Sequence, residues 1–174
     1  MRFTTYLRDG QPRLAVVDGD AAIDFAADLR EELESGRDVM AAARAALAAP
    51  NPKRLPLASL QYAPLVPEPG KTICLGLNYF DHAKEGGRDK PEYPWFFYRG
   101  KSSLMGHGQA GLLPAGSTKF DYEAELAVVM GRKVPRHVKR TDALQYVFGY
   151  SCFNDMSVRD FQKRTPQWTI GKNF

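Results

Sequence analysis

Six of the twelve prolines in this 174-residue chain fall between Pro50 and Gly70, and that cluster constrains the fold more than any other feature. Proline fixes its own φ and has no amide hydrogen, so a segment this rich in it favours extended chain over helix. The segment reads as a linker that divides the chain near Pro69-Gly70. Residues 1–69 then form a small N-terminal α+β domain with its proline-rich linker, and residues 70–174 form a second unit.

In the first unit, short apolar runs alternate with turn signals. Phe3 to Leu7, Leu14 to Val17 and Ala21 to Phe25 are separated by Asp9-Gly10 and Asp18-Gly19-Asp20, which predicts two successive hairpins. Ala26 to Glu34 and Val39 to Ala49 are rich in Ala, Leu, Glu and Arg and predict two helices, parted by Ser35-Gly36 and stopped by Pro50-Asn51-Pro52. In the second unit, strands are expected at Thr72 to Leu77, Pro94 to Arg99, Tyr122 to Gly131 and Tyr146 to Asn154. A helical turn is expected at His82 and Glu85 and another around Val158 to Arg164. Gly86-Gly87-Arg88-Asp89-Lys90-Pro91 reads as a mobile loop. The fold class is therefore α+β, mostly β.

Composition narrows the function. With 44% hydrophobic and 25% charged residues the chain is globular, and its net charge of +4 is scattered among acids instead of forming a stripe. Nucleic acid is not the expected partner; a small acidic substrate suits the mild positive excess. No apolar run approaches membrane-spanning length, so no membrane role is expected and the protein reads as cytoplasmic. Cys74 and Cys152 lie in apolar strand-like runs without metal-type spacing, which predicts reduced, buried thiols.

Three acids are the candidates for chemistry. In a strand, Glu123 and Glu125 project from one face with backbones roughly 6 to 7 Å apart, close enough to share a cation. Unneutralised carboxylates about 4 Å apart repel by roughly 4 kcal/mol at an effective dielectric near 20, so if these acids meet, a metal or protonation is implied. A solvated strand face is the alternative for this pattern. Ala127 and Val129 continue the acidic face as apolar residues, which suggests burial further along. Asp155 ends an apolar run, where a turn residue would also sit. Oxygen-only ligands select Mg²⁺ or Mn²⁺ over Zn²⁺. His82 and Glu85 stand three apart, so on a helical turn the carboxylate could fix the tautomer of a proton-accepting imidazole. Arg159, Gln162 and Lys172 are long donors that could hold a carboxylate or oxyanion, or simply be solvated.

Four motifs, in order, add a resemblance: Gly76-Leu77-Asn78-Tyr79-Phe80-Asp81-His82-Ala83-Lys84-Glu85, Asp121-Tyr122-Glu123-Ala124-Glu125-Leu126, Asn154-Asp155-Met156-Ser157-Val158-Arg159-Asp160-Phe161-Gln162 and Trp168-Thr169-Ile170-Gly171-Lys172. From about Lys71 to Phe174 the chain resembles the fumarylacetoacetate hydrolase family. The resemblance implies a mixed β-roll catalytic domain, and a divalent-metal enzyme that cleaves, decarboxylates or isomerises 2-oxo or β-diketo acids, with a homodimer as the expected assembly. It implies Glu123, Glu125 and Asp155 as ligands of Mg²⁺ or Mn²⁺, His82 and Glu85 as the catalytic dyad, Lys172 facing the substrate's oxygen, and Arg159 and Gln162 lining the pocket. Where many relatives carry Lys-Pro, this chain has Arg99-Gly100, so Arg99 is expected to supply a substrate-binding donor. The end at Gly171-Lys172-Asn173-Phe174 carries no tail or capping signal, and relatives continue beyond it. The roll is therefore expected to be incomplete at its C-terminus.

Overall fold

A computed structural model describes residues 1–173; Phe174, the last residue of the expected second unit, lies outside the described residues. Ten strands run in chain order: β1 (Arg2–Arg8), β2 (Gln11–Asp18), β3 (Ala21–Ala26), β4 (Arg54–Pro56), β5 (Thr72–Gly76), β6 (Trp95–Arg99), β7 (Phe120–Asp121), β8 (Ala124–Met130), β9 (Val147–Asn154) and β10 (Ser157–Val158). The helices are α1 (Leu29–Glu34), α2 (Val39–Ala48), α3 (Phe80–Glu85) and α4 (Arg159–Gln162), with short 3₁₀ turns between strands. The mixture is α+β, dominated by strands.

The chain divides into two compact units. The first holds Met1–Glu68, Met105–Ala110 and Ala124–Phe153; the second holds Pro69–Leu104, Gly111–Glu123 and the chain from Asn154 onward. In the first unit, β1 to β4 form one antiparallel sheet in sequence order. The predicted hairpins turn at Asp9-Gly10 and at Gly19, all with positive φ, the backbone state that Gly and Asp tolerate in tight turns. Leu14, Val16, Ile23, Leu29 and Val39 are buried between this sheet and α1 and α2.

Two expectations change here. The helix predicted from Ala26 begins at Leu29, because β3 persists through Ala26 and Asp28 caps α1 by accepting from the Arg30 and Glu31 amides. The proline-rich segment is more than a linker. Its β4 pairs with β3, Tyr62 bridges Tyr6, and the Leu7 amide donates to the Gln61 carbonyl at 2.8 Å. Extended chain with few free amides adds well to a sheet edge, which the proline count alone does not reveal.

The acidic strand also differs from expectation. The predicted strand from Tyr122 to Gly131 is interrupted at Tyr122-Glu123: β7 pairs with β10 in the second unit, and β8 pairs with β9 in the first. Along β8, Glu125, Ala127 and Val129 are the less exposed set, while Leu126, Val128 and Met130 are exposed. Neither cysteine is buried as expected: Cys74 is partly exposed, and Cys152 is exposed because it alternates with Phe153 on the open side of β9. Among the described residues, no helix is long and apolar enough to cross a membrane.

Candidate active site

The second unit buries charge instead of a broad apolar cluster: Arg99, Asp155 and Lys172 are among its most buried residues, at 3%, 3% and 1% exposure. Burying a charge is unfavourable unless it is paired, and here each is. The pairing begins in the backbone. β7 meets β10 with Ser157 opposite Asp121, the Asp155 amide donates to the Glu123 carbonyl at 2.9 Å, and the Glu123 amide donates to Asn154 Oδ1 at 3.1 Å. These bonds set Glu123 and Asp155 side by side although 32 positions separate them in sequence.

Lys172 Nζ then donates to both, to Glu123 Oε2 at 2.8 Å and to Asp155 Oδ2 at 2.7 Å. The outer oxygens are also occupied. Arg99 Nη1 donates to Asp155 Oδ1 and to the Met156 carbonyl, the latter at 3.2 Å. Arg159 Nη1 donates to Glu123 Oε1 and to Gln162 Oε1, the latter at 3.1 Å, while its Nε donates to Asp121 Oδ2 at 2.8 Å. The result is a row of alternating charge running Arg99, Asp155, Lys172, Glu123, Arg159, Asp121. Burial pushes the Glu123 carboxyl up, but the hydrogen bond and charge of Lys172, with Arg159, win and hold it below its ordinary range. The Arg159 hydrogen bond likewise holds Asp121 low.

Close packing delivers Lys172 to this point. A Cβ at Gly171 would lie 2.5 Å from the backbone of Gln162, so only glycine lets the Trp168–Gly171 turn approach α4. A Cβ at Gly76 would lie 2.0 Å from the Trp168 ring, which packs on Trp95 and Phe97 of β6. Asn173 completes the clamp, accepting from the Gly100 amide at 2.5 Å and donating to the Tyr98 carbonyl at 3.1 Å.

His82 lies on α3, and its Nε2 stands 4.0 Å from Glu123 Oε1 with the imidazole 43% exposed. Glu85 closes the same helix and is exposed; the structure does not join it to His82 by a hydrogen bond. Glu125 belongs to the first unit, at the second position of β8. Thus the structure brings together His82, Arg99, Glu123, Asp155, Arg159, Gln162 and Lys172, and pairs neither Glu85 with the imidazole nor Glu125 with Glu123 on one strand. Among the described residues, no three His, Cys, Asp or Glu side chains form a cluster that could hold a metal ion. The donor chemistry nevertheless fits a hard cation: two buried carboxylates present oxygens, and only oxygens, to one shared positive point. Asp121, Ser157 and Asn173 were not singled out from sequence as site residues. Their part depends on partners far along the chain.

Comparison with known proteins adds family evidence. The family profile described as fumarylacetoacetate (FAA) hydrolase C-terminal matches residues 71–174. Human oxaloacetate tautomerase FAHD2A, described as mitochondrial, is 41% identical over 144 residues, covering 82% of this chain and 45% of its own length. The chain thus spans about half the length of the curated relatives it matches. A crystal structure of maleylpyruvate hydrolase from Sphingobium sp. SYK-6, in complex with manganese(II) and pyruvate, superposes with a TM-score of 0.75 at 31% identity, covering 99% of this chain and 63% of that one. A 5-carboxymethyl-2-hydroxymuconate delta-isomerase from Mycobacterium smegmatis superposes with a TM-score of 0.70 at 25% identity, covering 100% and 62% respectively.

Proposed function

Since the chain belongs to the fumarylacetoacetate hydrolase family, we propose that it is a divalent-metal-dependent hydrolase that cleaves a C–C bond in acylpyruvate-like or β-diketo acids. The observation that carries this reading is the convergence of Glu123 and Asp155 on one cationic point, with His82 Nε2 standing 4.0 Å from the other carboxylate oxygen of Glu123, Oε1. In this reading Glu123 and Asp155 would hold Mg²⁺ or Mn²⁺. The manganese-bound hydrolase neighbour supports a divalent ion without choosing between the two. A cation held there supplies Lewis acidity to the carbonyl and carboxylate oxygens of a 2-oxo acid.

This chain's own residues do the rest. His82, partly exposed and facing the Glu123 carboxylate, accepts the proton of an attacking water. Lys172 donates toward the oxygen on which negative charge develops. Arg159 and Gln162, already hydrogen-bonded to each other, line the substrate pocket, and Arg99 serves binding by holding Asp155 in place.

A second reading is isomerase, decarboxylase or lyase chemistry on hydroxymuconate-type or related 2-oxo acids. It is favoured by the 41% identity to a protein named as a tautomerase. One experiment separates the two. The full chain with Mn²⁺ is given acylpyruvates, hydroxymuconate-type dioates and oxaloacetate, and products are identified by mass and by enol absorbance. Paired acid fragments from the acylpyruvates support the hydrolase; enol-keto exchange or double-bond migration without fragments supports the isomerase. In either case Glu123→Gln should lower turnover by more than the roughly 10–100-fold that losing an outer partner of a metal ligand costs. Unchanged turnover and unchanged metal dependence in that variant would remove both readings.

A further inference from the structure

We infer that the Lys172 ammonium is an internal counter-ion, held on the oxygens a divalent cation needs, so that Lys172 stabilises the metal-free protein at the expense of metal affinity. The inference rests on the reading of Glu123 and Asp155 as cation-holding residues and extends it to a residue with a different task.

The division of oxygens is the first argument. Asp155 gives Oδ1 to Arg99 and Oδ2 to Lys172; Glu123 gives Oε1 to Arg159 and Oε2 to Lys172. The two guanidiniums therefore fix the outer oxygens and turn the inner pair toward one point, which Nζ fills at 2.7 and 2.8 Å. Charge balance points the same way. Asp121, Glu123 and Asp155 balance Arg99, Arg159 and Lys172, so the row is neutral with the ammonium present. A divalent cation added with Lys172 in place leaves two uncompensated positive charges in a buried site, whereas without Lys172 it leaves one. Lys172 is also confined. Lys172 is 1% exposed, its Nζ stands 5.1 Å from the Phe97 ring centroid, and its backbone is held by the Gly171 contact and the Asn173 clamp. Held there, the ammonium competes with a cation for the same oxygens.

Competition predicts two changes of opposite sign from one substitution. In Lys172→Met, the thermal midpoint measured with EDTA should fall by roughly 10 °C, because two buried carboxylates lose their shared partner. Mn²⁺ binding followed by calorimetry should tighten by about tenfold or more, and the midpoint rise on adding Mn²⁺ should exceed that of the parent. Lys172→Gln, which keeps a polar end, carries the same two expectations and serves if the Met variant does not fold. A midpoint fall with unchanged or weaker Mn²⁺ affinity is what a merely structural lysine gives, and it overturns the inference while leaving the metal site standing. An unchanged midpoint in EDTA overturns it too. Absence of Mn²⁺ binding in the parent removes the metal reading itself, and this inference with it.

Discussion

The two units bury different things. In the first, Leu14, Val16, Ile23, Leu29 and Val39 form an apolar interior between a four-stranded sheet and two helices. In the second, the deeply buried residues include Arg99, Asp155, Lys172 and Ser157 beside only a few apolar side chains such as Phe97 and Val158. An apolar core is stabilised by area removed from water and is indifferent to ions. An ionic core stays buried only while every charge keeps its partner, which makes it responsive to cations and acid. The stability of the first unit is thus indifferent to ions, and that of the second depends on charge pairing.

The largest effect should come from breaking the ionic core. Asp155→Ala leaves Arg99 without its buried carboxylate and is expected to cost about 3–5 kcal/mol in urea unfolding. A cost under about 1 kcal/mol would mean that the charged row contributes little, and the contrast between the units would collapse. Next comes the apolar side. Leu14→Ala, at a fully buried position, should cost about 3 kcal/mol, with the same cost at low and high salt and with or without Mn²⁺. Ion sensitivity of that value would blur the distinction.

The smallest effect sharpens it through pH. Glu123 is held below its ordinary value of 4.5, so its contribution is present above that value and is lost as pH falls through the lowered one. Tyr6 in the first unit behaves in the opposite sense. Burial first, then its 2.8 Å hydrogen bond to Asp24, push its hydroxyl from 10.0 up to about 12. Its contribution is full below pH 10 and is lost as pH rises through about 12. Tyr6→Phe should therefore flatten the alkaline arm of a stability profile and cost about 1 kcal/mol at neutral pH, leaving the acid arm in place.

Much of the first unit was legible because its structure is local. Asp9-Gly10 and Asp18-Gly19 announce turns, and the Ala-rich run from Val39 announces a helix, without reference to distant chain. The start of α1 was misplaced because Asp28, a capping residue, stands inside a stretch of good helix formers. The site was legible only in its residue types. Periodicity treated Glu123 and Glu125 as one strand face, but the pairing of β7 with β10 and of β8 with β9 breaks the strand between them. No local signal reports pairing across 30 residues. The burial of Lys172 was equally invisible: it depends on Gly76 and Gly171 admitting Trp168 and Gln162 at distances a side chain would forbid.

The most direct test of the central claim is an anomalous difference map from crystals of the full chain grown with Mn²⁺. The account predicts a manganese peak bonded to a carboxylate oxygen of each of Glu123 and Asp155, with Lys172 Nζ moved off those oxygens. A manganese peak elsewhere, or an undisturbed Lys172 bridge at saturating metal, would contradict it.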